Sequence, residues 1–290
     1  MLFKYHPFLS CLRTLHPLLA LVLLSCLSGV QAAEPLRFAP LPMESRESTV
    51  KAFYPLVVHL QKHLQQPVEL VYYAKNSEIA AALESGELDF AYLGPLPYVT
   101  LRQRGAAVEP LVFFREANGQ ARYRCALVAF AGDAAQLASV RGKRIALTQP
   151  LSTCGYLGAN AMLRHEVGIS LKDMQYRYLG SHEAVALAVI SGEAEIGSVK
   201  DEFAAKFAPL GLQTLVYSDW LPATGLFASQ RRLDAATLKD LRRALLATPQ
   251  KIYGQWGGSI RHGMSMASET DFDSLRAFGD PAEIPQGKKD

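Results

Sequence analysis

Apolar residues along the chain follow two periods, one typical of strands and one typical of helices. Short apolar runs predict strands at Leu36–Pro40, Val68–Tyr72, Leu88–Leu93, Tyr123–Phe130, Lys143–Thr148, Gln175–Leu179 and Thr214–Tyr217. Helical spacing predicts helices at 50–64, Glu78–Glu84, Ser152–Arg164, His182–Ile190, a segment from Lys200 to about Ala208, and Arg231–Leu246. Strands and helices that alternate in this way indicate βαβ units around largely parallel sheets.

Local signals set several of the predicted boundaries. Ser77 is a suitable N-cap for the helix over Glu78–Glu84, and Gly86 ends that helix. Gly94-Pro95 predicts a break after the third strand. The tail Gly279–Asp290 is rich in proline, glycine and charge, and we expect it to be loosely ordered.

One short segment occurs twice in the chain. Ser85–Ala91 (SGELDFA) returns 106 residues later as Ser191–Gly197 (SGEAEIG), and each copy follows an alanine-rich helix and opens a strand. That distance is too long for a solenoid repeat and suits two similar α/β lobes. No low-complexity linker separates the lobes. We therefore expect crossings near Arg122 and Ser218, with one lobe formed by 33–120 and 216–290 and the other by 121–215.

The first 32 residues have the composition of a secretory signal peptide. They contain Lys4 and Arg13 but no acidic residue, then the apolar run Leu18–Leu24, and they end in Val30-Gln31-Ala32, whose first and last residues suit a cleavage site. The apolar run is too short to span a bilayer as a helix, so we expect a soluble mature protein outside the cytoplasm. The residues before Cys26 also resemble a lipobox, so a free periplasmic protein and one lipid-anchored at Cys26 are both open.

Charge and cysteine content exclude several kinds of protein. The chain has 30 basic and 27 acidic residues, and without the two basic residues of the predicted leader its net charge is about +1. Such a balance provides no field that attracts nucleic acid or a membrane surface. The mature chain would keep only Cys125 and Cys154, too few for a disulfide scaffold.

The sequence patterns of common catalytic sites do not occur. There is no Gly-x-Ser-x-Gly elbow, no His-Glu-x-x-His zinc motif, no phosphate-binding loop and no dinucleotide-binding glycine pattern. His165 and His182 do not stand at metal-ligand spacing from other histidines. We therefore expect a protein that is not an enzyme and that uses no cofactor or metal.

Ser152-Thr153-Cys154-Gly155 has the composition of an anion site. It follows a predicted strand and opens a predicted helix, where free N–H groups and the helix dipole favour an anion. The hydroxyls of Ser152 and Thr153 can donate to its oxygens, and Gly155 lets the backbone approach closely. Serine and threonine are also the usual helix N-caps, so capping is the other interpretation of these residues.

Four short strings are informative by their order and spacing. They are Ser85–Pro95 (SGELDFAYLGP), Ser152–Tyr156 (STCGY), Gly180–Glu183 (GSHE) and Gly197–Asp201 (GSVKD). With these strings, nearly the whole mature chain resembles the phosphate, phosphite and phosphonate family of ABC-transporter substrate-binding proteins. The resemblance implies an α/β type II periplasmic binding protein fold, in which two lobes are hinged by two crossovers and hold the ligand in the cleft between them.

The resemblance also implies which residues bind the ligand. Beyond Ser152–Gly155 they are Tyr92, Ser181, His182, Glu183 and Asp201. Glu44 and Ser45 follow the first strand, and we expect them to line the cleft as well. Tyr92 would meet the ligand across the cleft, and the other interpretation is a core tyrosine. Acids at Glu183 and Asp201 would hold the amino end of an aminoalkyl phosphonate, although an acid at a helix start also compensates the dipole.

Cys154 stands where the family usually has serine. A thiol donates weaker hydrogen bonds than a hydroxyl but binds soft metals and metalloids better, and a helix start lowers its pKa. A free thiol would therefore select a thiophilic species such as arsenite, which some relatives sense through a cysteine. The alternatives are a disulfide with Cys125 in an oxidising compartment and a buried small residue.

The function that follows is that of a periplasmic solute-binding protein. It would capture a small oxyanion, such as a phosphonate, phosphite or phosphate, for an ABC importer. The expected partners are this ligand and an ABC permease, without nucleic acid, and the expected state is a monomer. The alternative is a sensory binding protein that presents an oxyanion such as arsenite to a membrane histidine kinase, since both roles use the same fold and cleft.

Overall fold

The computed structural model describes residues 1–2, 34–133 and 137–285. Apart from Met1 and Leu2, the predicted signal peptide with Cys26 lies outside the described residues, and so does the end of the predicted tail, 286–290. Pro35–Asp290 forms one unit by its internal contacts, and the fold below is that of this unit. Within the described ranges, no helix has the length and apolar character needed to cross a membrane.

Six strands form the first sheet. In spatial order they are β13 (Met264–Met266), β4 (Val108–Phe114), β12 (Gly225–Ser229), β3 (Phe90–Leu93), β1 (Leu36–Ala39) and β2 (Val68–Leu70). β1 pairs in parallel with β2 and β3, whereas β12 runs antiparallel to β3 and β4. The helices that flank these strands in sequence are α1 (Arg46–Leu64), α2 (Asn76–Ser85), α3 (Pro95–Gln103), α7 (Ala235–Leu246) and α8 (Gln250–Tyr253).

Five strands form the second sheet. In spatial order they are β10 (Leu212–Tyr217), β6 (Cys125–Phe130), β9 (Ile196–Lys200), β7 (Arg144–Leu147) and β8 (Gln175–Tyr178). β7 pairs in parallel with β8 and β9, and β6 runs antiparallel to β9 and β10. The helices that flank the strands of the second sheet in sequence are α4 (Tyr156–Val167), α5 (His182–Ile190) and α6 (Asp201–Phe207). Two short strands, β5 (Arg122–Tyr123) and β11 (Leu221–Pro222), pair where the chain passes between the sheets.

The two sheets repeat one arrangement. In each, a parallel trio is extended by an antiparallel strand, giving the orders β2-β1-β3-β12 and β8-β7-β9-β6. The repeated segments SGELDFA and SGEAEIG lead into β3 and β9, which occupy equivalent positions in different sheets. The lobe boundaries at 120/121 and 215/216 stay a prediction.

Aromatic side chains fill the interior of the first sheet. The rings of Phe38 and Phe90 stack with centroids 5.5 Å apart, and the ring of Tyr92 lies 4.9 Å from that of Phe53 and 5.5 Å from that of Phe114. Full burial of such side chains stabilises a fold by about 1.5–3 kcal/mol each. Tyr92 is therefore held as part of the core.

Several helices begin at other residues than predicted, and α7 begins at Ala235, after its N-cap Asp234, and not at Arg231. α1 begins at Arg46, because the Ser45 hydroxyl accepts the N–H of Ser48 at 3.3 Å and caps the helix. α2 begins at Asn76, because the Glu78 carboxylate accepts the N–H of Lys75 at 3.3 Å. The prediction that Ser77 caps this helix is wrong.

The segment from 95 to 121 contains α3 and β4, for which the sequence patterns predict no element. Pro95 is the first residue of α3 and Gly94 its N-cap. The missing N–H of proline costs little at that position, because the first N–H groups of a helix have no intrahelical acceptor. Gly94-Pro95 therefore opens a helix and does not break the chain.

Candidate functional site

A small cavity lies where loops that follow strands of the two sheets meet. It is lined by Leu41, Met43, Asn76, Gly94, Pro97, Tyr123, Leu151, Ser152, Thr153, Cys154, His182, Lys200 and Thr224. The volume of this cavity is about 20 Å³. An adjoining cavity, which shares five of these residues, has a volume of about 10 Å³. A single water needs about 10–15 Å³ by this measure, so only a compact solute fits.

Direct hydrogen bonds join the two sides of this cavity. Thr153 Oγ1 accepts the N–H of Leu96, near the start of α3, at 3.1 Å. Gln149 Oε1 accepts the N–H of Asn76 at 2.8 Å, and its amide nitrogen donates to the carbonyl of Gly180 at 2.6 Å. Thr153 and Gln149 follow β7 of the second sheet, whereas Leu96 and Asn76 belong to helices of the first. The structure is therefore a closed form.

The loop from 149 to 155 supplies hydrogen-bond donors to the cavity. Two tight turns shape it, in which Ser152 N–H donates to Gln149 O at 3.0 Å and Gly155 N–H to Ser152 O at 2.9 Å. Within the described ranges, the N–H groups of Thr153 and Cys154 donate to no backbone carbonyl. Free N–H groups in a turn form an anion-binding concavity. The turns also explain why α4 begins four residues later than predicted, at Tyr156.

Gly155 is required by the turn and does not line the cavity. A Cβ at this position would overlap the carbonyl oxygen of Gln149 and lie 2.9 Å from that of Ser152. Gly155 therefore acts on the site through the path of the loop, and its contact with a ligand stays a prediction.

Cys154 is joined to Cys125, the first residue of β6, by a disulfide bond. Both side chains are buried. The free thiolate considered for Cys154, with arsenite as its ligand, is wrong for this structure because no thiol remains. The bond ties the loop to the second sheet, and the backbone N–H of Cys154 donates to no carbonyl of the described backbone.

His182 is a neutral donor at the cavity wall. Its ring stacks on Phe203 with centroids 5.0 Å apart, and its Nδ1 accepts the N–H of Lys200 at 3.1 Å. The ring hydrogen is therefore on Nε2, which makes no hydrogen bond to another described residue. Burial, followed by the charge of Lys200, lowers the pKa of His182 to about 3.

We expect His182 to make the fold acid-sensitive. The unfolded chain binds a proton on this ring below pH 6.5, whereas the folded protein does so only near pH 3. Stability contributed by the neutral ring is therefore present above pH 6.5 and is lost as the pH falls towards 3. Urea unfolding at several pH values should show a shallower acid loss for His182→Gln. The exposed His165, as His165→Gln, is the control, and equal slopes for wild type and His182→Gln would contradict the assignment.

Lys200 is a buried cation at the end of β9. Its Nζ lies 2.8 Å from Glu116 Oε2, 3.1 Å from Glu202 Oε2 and 5.3 Å from the ring centre of Tyr123. Burial by itself lowers the pKa of Lys200, but Glu202 and Glu116 outweigh it and hold that pKa well above its usual value. Lys200 is therefore charged, and its charge is already compensated by carboxylates.

Sequence reasoning missed four polar residues of the cavity wall: Asn76, Tyr123, Lys200 and Thr224. Lys200 carried a usable signal, because a lysine that ends an apolar strand needs a partner if it is buried. Tyr123 lies at a crossover and lines the same cavity as Thr153. Asn76 and Thr224 have no distinctive local pattern, and only the packing of the two sheets brings them together.

Tyr92 and Asp201 do not line the cavity. The Tyr92 hydroxyl donates to Thr224 Oγ1 at 2.7 Å, so this fully buried tyrosine positions a residue of the wall. The Asp201 carboxylate accepts the N–H of Arg124 at 3.1 Å and that of Glu202 at 3.0 Å. Direct contact of either residue with a ligand stays a prediction.

The remaining predicted residues are divided between two places. Ser181 lines the smaller adjoining cavity and caps α5 by accepting the N–H of Ala184 at 3.1 Å. Glu44 and Glu183 lie around Lys206, at another cavity of about 190 Å³ that Glu44 and Lys206 line. Ser45 caps α1. The structure therefore brings Ser152, Thr153, Cys154 and His182 together and places Glu44, Ser45 and Glu183 apart from them.

Comparison with known proteins identifies relatives in sequence. The model of a family described as periplasmic substrate-binding proteins of phosphonate ABC transporters matches residues 38–271. A phosphate-import protein, PhnD, from Mycolicibacterium smegmatis is 25% identical over 226 residues, which are 72% of this chain and 70% of that protein.

Solved structures share the fold. PhnD1 from Prochlorococcus marinus, in complex with methylphosphonate, matches with a TM-score of 0.73 and 15% identity over 84% of this chain and 96% of that one. The alkanesulfonate-binding protein SsuA from Xanthomonas axonopodis pv. citri, bound to MOPS, matches with a TM-score of 0.58 and 18% identity over 87% of this chain and 98% of that one. Likeness at such identities establishes the two-lobed α/β fold of type II periplasmic binding proteins.

Proposed function

Because this chain belongs to the family of periplasmic substrate-binding proteins of phosphonate ABC transporters, we propose that its closed cavity holds a small phosphorus oxyanion for import. The observation that carries the proposal is the set of donors on one wall. The N–H groups of Thr153 and Cys154, the Ser152 hydroxyl and the Nε2–H of His182 all belong to residues that line the same small space. Lys200 lies beside them, with its charge compensated by Glu116 and Glu202.

The size of the cavity restricts the ligand. All oxygens of a tetrahedral oxyanion lie one bond from the central atom, so it is among the few charged solutes compact enough for this space. Phosphonate, phosphite and phosphate are compact anions of this kind. Methylphosphonate is bound by PhnD1 of Prochlorococcus marinus, which supports it as the first ligand to test.

Closure and ligand binding are coupled in this proposal. The bonds from Leu96 to Thr153 and from Asn76 to Gln149 form only when the two sides meet. A ligand that contacts both sides therefore shifts the population towards the closed form, which the ABC permease would receive. We expect a monomer, exported by residues 1–32 with cleavage there or lipid attachment at Cys26. No observation on the described residues favours docking on a histidine kinase.

Thr153→Val should weaken oxyanion binding about ten- to a hundred-fold. Valine keeps the shape of threonine but removes the oxygen that accepts the N–H of Leu96 at 3.1 Å, and an unsatisfied buried N–H costs about 1–3 kcal/mol in the closed form. The measurement is calorimetric titration with methylphosphonate, phosphite and phosphate.

The control for this experiment is Thr270→Val, an exposed threonine that lines neither cavity. Its dissociation constant should equal that of the wild type. An unchanged dissociation constant for Thr153→Val would show that this residue has no part in the closed complex. Failure of the wild type to bind any of the three oxyanions would overturn the proposed function.

A further inference from the structure

We infer that Asn76 makes this site select oxyanions that carry a hydroxyl hydrogen, which are phosphonate, phosphite and phosphate in singly protonated form, over sulfonates and sulfate. The inference rests on the proposed function of the cavity. It concerns one acceptor atom, Asn76 Oδ1, and the kind of group that can satisfy it.

Asn76 Oδ1 is a buried acceptor that receives no hydrogen bond from any described residue. The side chain is 4% exposed and lines both the main cavity and the smaller one. Its own backbone N–H is satisfied by Gln149 Oε1 at 2.8 Å. Buried polar atoms are nearly always paired in folded proteins, so this oxygen requires a donor from the contents of the cavity.

A second buried oxygen belongs to a residue that lines the smaller cavity. Thr148 Oγ1, at the end of β7, also has no partner among the described residues, and Thr148 lines the smaller cavity together with Asn76. A threonine hydroxyl can donate or accept, whereas Asn76 Oδ1 can only accept. Other residues that line the main cavity contribute donors, the N–H groups of Thr153 and Cys154 and the ring of His182. The cavity therefore offers donors to most of the ligand oxygens and one obligate acceptor to the remaining one.

The charge of the site favours the same ligand form. Lys200 is the cation among the residues that line the two cavities, and it is already paired with Glu116 and Glu202. Little uncompensated positive charge is left for the ligand. A singly charged, protonated anion therefore enters with a smaller electrostatic cost than a doubly charged one.

The chemistry of phosphorus and sulfur acids separates the two ligand classes. A singly charged phosphonate keeps one P–OH, and this hydroxyl can donate to Asn76 Oδ1. A sulfonate of the same shape and charge has only acceptor oxygens at physiological pH, so one of them would face Asn76 Oδ1 without a hydrogen between them. Sites that bind a substrate hydroxyl reject analogues that lack it, because a buried group is left unpaired.

The experiment compares methylphosphonate with methanesulfonate, two anions of similar shape, at a mildly acidic pH where the phosphonate keeps its hydroxyl. Calorimetric titration of the wild type should show at least about ten-fold tighter binding of methylphosphonate. Asn76→Leu replaces the amide with an apolar group of similar size and so removes the acceptor. It should bind methylphosphonate more weakly and should bring the ratio of the two affinities close to one.

Asn160→Leu is the matched control. Asn160 is also 4% exposed, but its Oδ1 accepts the N–H of Leu171 at 2.8 Å and it lines neither cavity. This variant should be less stable than the wild type and keep its ligand selectivity. If Asn76→Leu fails to fold, Asn76→Asp is measured in its place and should retain discrimination against methanesulfonate, because it retains an acceptor.

Two results would contradict the inference, and they differ from failure of the proposed function. Equal affinity of the wild type for methylphosphonate and methanesulfonate would show that no acceptor in the site depends on a hydrogen bond from the ligand hydroxyl. Unchanged selectivity in Asn76→Leu would show that another residue does so. If the wild type binds neither anion nor phosphate nor phosphite, the proposed function fails and this inference fails with it.

Discussion

Lys200→Met should lower the free energy of unfolding by about 3–5 kcal/mol, since removing one member of a buried ion pair leaves its partner charged and unpaired. Lys200 is 2% exposed and lies 2.8 Å from Glu116, whose side chain is also largely buried. Burial raises the pKa of Glu116, and Lys200 opposes that rise. In the variant this carboxylate would lose its counterion. The loss of stability should therefore shrink as the pH falls and Glu116 binds a proton.

Urea unfolding of Lys200→Met and of a matched surface variant tests this expectation. Lys206 pairs with Glu44 but is 47% exposed, so Lys206→Met should change stability by only about 0–1 kcal/mol. Adding Glu116→Gln to Lys200→Met should recover part of the loss, because one of the two carboxylates left without a counterion, those of Glu116 and Glu202, is then removed. Similar stability of the wild type and Lys200→Met would mean that Lys200 is not the buried partner of these carboxylates.

Loss of the Cys125–Cys154 disulfide should cost about 3–4 kcal/mol of stability. The two cysteines are 29 residues apart in sequence, and the chain-entropy treatment of a loop of that size gives about this value. The same change should weaken ligand binding, because the bond holds the loop that carries the N–H groups of Thr153 and Cys154 against β6. Urea unfolding with and without dithiothreitol measures the first effect, and titration with methylphosphonate measures the second.

The double variant Cys125→Ala with Cys154→Ala provides the control for reduction. It should match the reduced wild type in stability and should not respond to dithiothreitol. Peptide mapping of the unreduced protein should show the peptides with Cys125 and Cys154 linked. Recovery of both peptides unlinked would contradict the disulfide and would return the free thiol to consideration as a ligand.

Much of the fold followed from periodicity, because strand and helix periods are properties of neighbouring residues. The apolar runs around Phe38, Phe90 and Ile196 form strands as predicted, and the repeated segments before Phe90 and Ile196 lead into equivalent strands of two sheets. Element starts were less predictable, since they depend on which side chain reaches which N–H. Glu78 satisfies Lys75, and Ser77 is left inside α2.

The candidate site also has a part that the sequence predicts and a part that it does not. Ser152, Thr153 and His182 could be predicted from sequence, because free N–H groups at a helix start favour an anion and side-chain donors there can bind its oxygens. The sequence also determined that the chain alternates strands with helices, carries no common catalytic motif and has only two cysteines outside its predicted leader. The tertiary structure decided the rest, namely that Cys125 meets Cys154, that Lys200 meets Glu116, and that Asn76 faces the same cavity as Thr153. The residues of each pair are distant in sequence and meet only when the two sheets form and pack. Local periodicity along the chain therefore does not predict these contacts.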